Sequence, residues 1–244
     1  MLLLPALTKR LTKGFRLAKM QLEFPHRPNW EVPLVPEVLS ILDQPYRYMD
    51  QGSQCYVFES KDGEYVLKLF RYDQPTDDTK VVHLFNGCKV AYDYLQDETG
   101  LIFVHLNPTP MGLGTLMCRD PVGRKIEFKL DEYRFAVQRK AKSFRETLQN
   151  AKSNPSEMQG LIDQFIDLLI ARTEKGVVNS DPNLSRNFGF LDTRAIELDF
   201  GNYRLCSEFD KGREIRRYTS KLKKWLALNA PEWVDYVTAK ENAL

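Results

Sequence analysis

The sequence predicts an α+β protein: antiparallel strands first, then a smaller, mainly helical part. Residues 46–138 alternate strand-like apolar runs with turn signals. Residues 77–95 and 156–174 place apolar side chains at helical spacing. A chain of 244 residues is long enough for two lobes around a cleft. The expected divisions are 1–45, a basic amphipathic segment and proline-rich connector; 46–140, the β-rich lobe; and 141–244, the helical lobe with its loops.

Residues 1–22 set Lys9, Arg10, Lys13, Arg16 and Lys19 among Leu7, Leu11, Phe15 and Leu17. Apolar residues precede the charge, the reverse of a secretory signal. The pattern allows weak contact with a membrane surface, and packing as a helix on the domain is the plainer expectation. Pro25, Pro28, Pro33 and Pro36 make an extended connector. Residues 46–70 read as a β-meander with a hairpin at Lys61-Asp62-Gly63. Lys68 lies inside the apolar run 66–70, where a buried ammonium demands an anionic partner. The alternative is an edge strand with Lys68 in solvent. In the helix of residues 77–95, Asp77, Asp78 and Asp93 are the acids, and Asp93 is best placed to point inward.

Further strands are expected at residues 101–104, 115–118, 125–128 and 133–138, with turns at Asn107-Pro108, residues 111–114 and Pro121-Val122-Gly123. A short helix at 143–151 precedes a strongly amphipathic one at 156–174, whose start is marked by Asn154-Pro155-Ser156. After Gly201 only 43 residues remain, with helical stretches at 218–228 and 231–239 and with Trp225 and Trp233 as core anchors.

The chemistry concentrates in residues 176–203. Two apolar runs, 176–178 and 195–198, each end close to a carboxylate, Asp181 and Asp199, and a polar loop with Asn183, Arg186 and Asn187 lies between them. Two carboxylates and an asparagine at strand ends form a hard-oxygen set suited to magnesium and a phosphate substrate. Asp199-Phe200-Gly201 is a complete DFG, eighteen residues after Asp181. With that order and spacing, the stretch resembles the catalytic core of the protein kinase superfamily. Asn187 follows Asp181 by six residues, one more than the family's usual five, and Asn179 stands where the family has histidine.

The resemblance implies a two-lobed kinase-like fold with an antiparallel N-lobe and a reduced C-lobe. It further implies an ATP-dependent, magnesium- or manganese-assisted phosphotransferase acting on a hydroxyl of a protein or small molecule. Asp181 would orient the acceptor, Asn187 and Asp199 would hold the metal, and Lys68 would neutralise the nucleotide phosphates. Gly52 and Ser53, in Asp50-Gln51-Gly52-Ser53-Gln54-Cys55, stand in the phosphate-covering loop with only the middle glycine kept. Asp93 stands for the glutamate that pairs the strand lysine, and the hinge falls near residues 137–140. The family's Ala-Pro-Glu motif is absent, so the chain is similar to the minimal kinase-like effectors of host-associated bacteria. Two alternatives accompany this reading: a pseudokinase scaffold that binds a protein partner, and transfer of AMP rather than phosphate.

Composition narrows the classes. With 35 basic and 33 acidic residues the net charge is +2, which gives no bulk argument for nucleic acid. Cys55, Cys88, Cys118 and Cys206 are widely spaced without a CxxC, and His26, His83 and His105 lack metal-ligand spacing. Reduced thiols suit a cytoplasmic setting, with export lacking a cleavable signal as the alternative.

Overall fold

The computed structural model describes residues 12, 14–21, 24–72 and 78–243. Most of the basic amphipathic segment, and Asp77, lie outside the described residues. Residues 14–21 hold one 3-10 turn, Leu17–Lys19, between buried Phe15 and Met20. The chain divides into two compact units. One comprises Met1–Phe85 and Leu101–Lys140; the other comprises Asn86–Gly100 and Ala141–Leu244.

The first unit is built on a seven-stranded sheet. Its strands are β1 (Tyr46–Gln51), β2 (Cys55–Ser60), β3 (Tyr65–Phe70), β4 (Leu101–His105), β5 (Thr115–Arg119), β6 (Lys125–Lys129) and β7 (Phe135–Arg139). Their order is β4-β7-β3-β2-β1-β5-β6. Each lies where the alternation of apolar runs and turn residues places it. The sheet is mixed rather than purely antiparallel, because β1 and β5 pair in parallel, Tyr46 opposite Cys118. After β4 at one edge the chain crosses to the other edge and adds the β5–β6 hairpin beside β1, and that crossing sets the direction. Helix α1 (Pro36–Leu42) leads into the sheet. The proline-rich connector is anchored by Trp30, which is 1% exposed and sits edge-on to Phe85 at 5.1 Å.

β3 is an interior strand, flanked by β2 and β7, with Lys68 opposite Val57 and Ala136. Only Tyr65 and Lys68 on this strand escape full burial. That placement removes the edge-strand alternative for Lys68.

Helix α2 (Asp78–Tyr94) follows, and the units divide within it. The second unit adds α3 (Gln96–Thr99), α4 (Phe144–Asn150), α5 (Pro155–Glu174), α6 (Leu184–Asn187), α7 (Lys211–Asn229) and α8 (Val234–Asn242). Helix α5 starts where the sequence marks it: the Asn154 side chain accepts from the Glu157 amide at 3.3 Å and Pro155 occupies the first turn. Its apolar face meets Phe144, Phe188, Tyr218, Leu222 and Leu226 in the core of this unit. Two small sheets complete it. One orders β11 (Arg194–Glu197), β10 (Phe188–Leu191) and β8 (Lys142–Ser143); the other pairs β12 (Tyr203–Leu205) with β9 (Val177–Asn179).

Three elements differ from the sequence reading. The polar loop after residue 179 ends at β10, whose four residues pair with β11. Tyr203–Leu205 is a strand because it finds β9, not because of its composition. Helix α7 begins at Lys211, seven residues before the expected start. Its inner face carries Ile215, Tyr218, Leu222 and Leu226 together with one buried acid, Glu214, and its other charges lie outside that face. Among the described residues, no helix is long and apolar enough to cross a membrane.

Candidate functional site

In the second unit Asn179 is the joint on which the site is assembled. It ends β9, is 1% exposed, and commits all four of its polar groups. Its Oδ1 accepts from the Asp181 amide at 3.0 Å. Its Nδ2 donates to the Glu197 carboxylate at 2.6 Å and to the Asp199 carbonyl at 3.3 Å. Its amide donates to Glu214 Oε1 at 3.3 Å, and its carbonyl accepts from the Tyr218 hydroxyl at 2.9 Å and from Arg217 at 3.3 Å. One side chain thus ties the backbone before Asp181 to the backbone at Asp199. Where histidine was expected to support the loop, asparagine supplies the support.

Asn187 closes the arrangement from the other side. It lies at the end of α6, is buried, and donates its Nδ2 to the Asp181 carbonyl at 3.2 Å. That bond fixes the amide orientation and leaves Oδ1 as the uncommitted oxygen. The Asn187 carbonyl accepts from the Leu198 amide at 2.6 Å, continuing the register that sets Phe188 opposite Glu197. Asn187 and Asp199 therefore both emerge at the open end of the β10–β11 hairpin. The Asp199 carboxylate is half-buried and accepts one long bond, 3.3 Å, from the Gly201 amide. Half-buried Asp181 completes the set that the sequence predicts. Among the described residues no group of three histidine, cysteine or acidic side chains forms a metal cage. An asparagine oxygen with one carboxylate is the kind of partial site that magnesium occupies together with water and phosphate. The residues present fit that ion.

Beneath this loop lies a buried ionic cluster that the sequence reading missed. Arg172 of α5 has no exposed surface and reaches Glu197 at 2.6 Å and Glu214 at 3.0 Å. Its guanidinium also lies 4.5 Å from the centre of the Tyr218 ring. Arg217 joins Glu214 at 2.6 Å and donates to the Asn179 and Ser180 carbonyls, each at 3.3 Å. Burial pushes the Glu197 carboxyl upward, and the Arg172 charge pulls it back. The readable signal was a charge at a core position: Arg172 continues the buried spacing Phe165, Leu168, Leu169, and Glu197 interrupts an apolar run.

The DFG backbone has a close neighbour as well. A Cβ on Gly87 of α2 would stand 2.6 Å from the Phe200 carbonyl oxygen and 2.7 Å from that of Gly201. Only glycine lets these backbones come so near. Asp93, expected as the partner of Lys68, instead holds Lys89 one turn earlier on the same helix, at 2.5 Å.

In the first unit Gly52 and Ser53 form the β1–β2 turn, closed by the Gly52 amide on the Cys55 carbonyl at 2.9 Å. Arg71 braces this turn, donating its Nη2 to the Gly52 carbonyl at 2.7 Å and stacking over Tyr56 at 4.8 Å. A Cβ on Gly52 would meet nothing nearer than the Cys55 sulfur at 3.9 Å. Gly52→Ala is therefore expected to leave stability within about 0.5 kcal/mol of the parent. If Gly52 serves close approach of a phosphate, the same change weakens nucleotide affinity about tenfold. Urea denaturation and a nucleotide titration of one preparation check both; a large stability loss would show the glycine to be structural.

No protein-family model matches the chain, and no curated protein matches it by sequence.

Proposed function

We propose that the chain is a kinase-like phosphotransferase that moves a phosphoryl group from ATP to a hydroxyl acceptor with magnesium or manganese. The observation that carries the reading is the Asn179 joint, which brackets the segments of Asp181 and Asp199 while Asn187 is tied through its Nδ2 to the Asp181 carbonyl. In this reading Asp181 orients the acceptor hydroxyl and takes its proton late, as bond formation to phosphorus proceeds. Asn187 and Asp199 hold the metal, which when bound supplies charge neutralisation. Lys68, half-buried on an interior strand, is the cation assigned to the nucleotide phosphates, with the β1–β2 turn as their backbone donor.

A scaffold reading is favoured by one feature: Lys89 engages the acid expected to serve Lys68. A thermal-shift titration with ATP, with and without magnesium or manganese, separates the two. The parent is expected to show a metal-dependent rise in midpoint by mass action, and Asp199→Ala to lose that rise and about a thousandfold or more of phosphoryl transfer while remaining folded. Transfer retained by a folded Asp199→Ala variant would sink the phosphotransfer reading. No shift at millimolar ATP would turn the assignment to the scaffold reading and the search to protein partners.

A further inference from the structure

The outer face of α7 is a basic stripe that starts at the catalytic loop. Arg213, Arg217, Lys221 and Lys224 recur at i, i+4, i+8 and i+11, on one side of the helix, and Leu228, 87% exposed, extends the row. Arg213 to Lys224 spans about 16 Å at 1.5 Å per residue. Arg217, inside the stripe, donates to the carbonyl of Ser180, the residue directly before Asp181. Its partner carboxylate, Glu214, lies on the buried face and serves Arg172 as well. Arg216 and Lys223, on the flank, have Asp210 at 3.9 Å and Glu241 at 2.5 Å. Arg213, Lys221 and Lys224 have no carboxylate within 4 Å among the described residues, so their charge faces outward uncompensated.

We infer that this stripe docks an acidic segment of a protein, and that the segment carries the acceptor hydroxyl to Asp181; the second clause rests on the phosphotransfer reading, the first does not. Charge complementarity selects the chemistry: a row of basic groups at helical pitch, three of them without a carboxylate partner among the described residues, fits carboxylates or phosphates along an extended chain. The location selects the source. A membrane surface would want the apolar side of an amphipathic helix, and here Ile215, Tyr218, Leu222 and Leu226 are committed to the core. Single-stranded nucleic acid would want stacking rings in the groove, and the stripe ends instead in an aliphatic side chain beside half-buried Trp225, which Lys152 already covers at 5.8 Å.

The test uses the whole chain and a fluorescein-labelled peptide alternating glutamate and serine, followed by anisotropy at several salt concentrations without nucleotide. Binding is expected to weaken with salt and to fall about tenfold or more in R213E/K221E/K224E. A charge-matched control, K61E/K125E/K129E on the exposed surface of the first unit, is expected to bind as the parent does. Equal loss in both triple variants, or none in the first, overturns the proposal. So does tighter binding to phosphatidylserine vesicles or to a single-stranded oligonucleotide than to the peptide. Phosphorylation of the bound peptide extends the result to the acceptor role, whereas specific binding without transfer keeps the docking site and overturns its role in delivering the acceptor; the phosphotransfer reading stands or falls on the ATP and metal titration.

Discussion

Arg172→Ala is expected to destabilise the second unit by about 3–5 kcal/mol, the cost of stranding buried charge without its partner. Arg172 is the counter-ion of both Glu197 and Glu214, at 2.6 and 3.0 Å, and its side chain is wholly enclosed. The variant also has a steeper pH dependence than the parent. Burial already raises the Glu197 carboxyl above its ordinary value of 4.5 in the parent, and removing the Arg172 charge and its hydrogen bond leaves fewer groups, Asn179 among them, to pull it down, so it rises further. A carboxyl raised in the folded state binds its proton more tightly there than in the unfolded chain. Its contribution is complete below 4.5 and is lost as pH climbs through the raised folded value. The deficit against the parent therefore grows from acid to neutral pH. Urea denaturation at both ends of that range measures it. A loss under about 1 kcal/mol, or a deficit that shrinks with rising pH, would contradict the buried cluster. Because Asn179 donates to Glu197 and Glu214 alike, the loosened cluster also releases the loop that positions Asp181.

Gly87→Ala carries the second large effect, with a sign opposite to intuition. In an exposed helix interior this change adds about 1 kcal/mol of stability. On α2 the new methyl would fall 2.6–2.8 Å from backbone atoms of Phe200 and Gly201, which cannot rotate away as a side chain can. The expected outcome is a loss of about 1–3 kcal/mol, together with a displaced Asp199 carboxylate and a weakened metal-dependent nucleotide shift. Denaturation and the titration with magnesium read these separately. A stabilised variant would mean that α2 and the DFG backbone do not meet.

Much of the fold was legible in the chain. Strands β1 to β7 follow from alternation punctuated by Lys61-Asp62-Gly63, Asn107-Pro108 and Pro121-Val122-Gly123, and α5 from its cap and 3.6-residue period. These are local preferences, fixed by side-chain direction and backbone sterics within a few residues. The candidate residues Asp181, Asn187 and Asp199 were legible as residue types near strand ends. β10 and β12 were not, because four- and three-residue strands are specified by their partners rather than by their own composition. Helical spacing alone also did not show that Asp93 pairs with Lys89 at i−4, a local ion pair on the same helix.

The sequence by itself determined an α+β chain, the order of its strands and helices, and a pair of carboxylates with an asparagine between them. Only the tertiary structure decided what holds that set in place. Arg172, Asn179, Glu197, Glu214 and Arg217 come from two helices, a strand end and a hairpin, and no local pattern joins them. Their association is enforced by burial, since each charge withdrawn from water must find its counter-charge wherever the core brings one. That requirement, and the near-touching backbones at Gly87 and Phe200, fix where these residue types stand relative to one another.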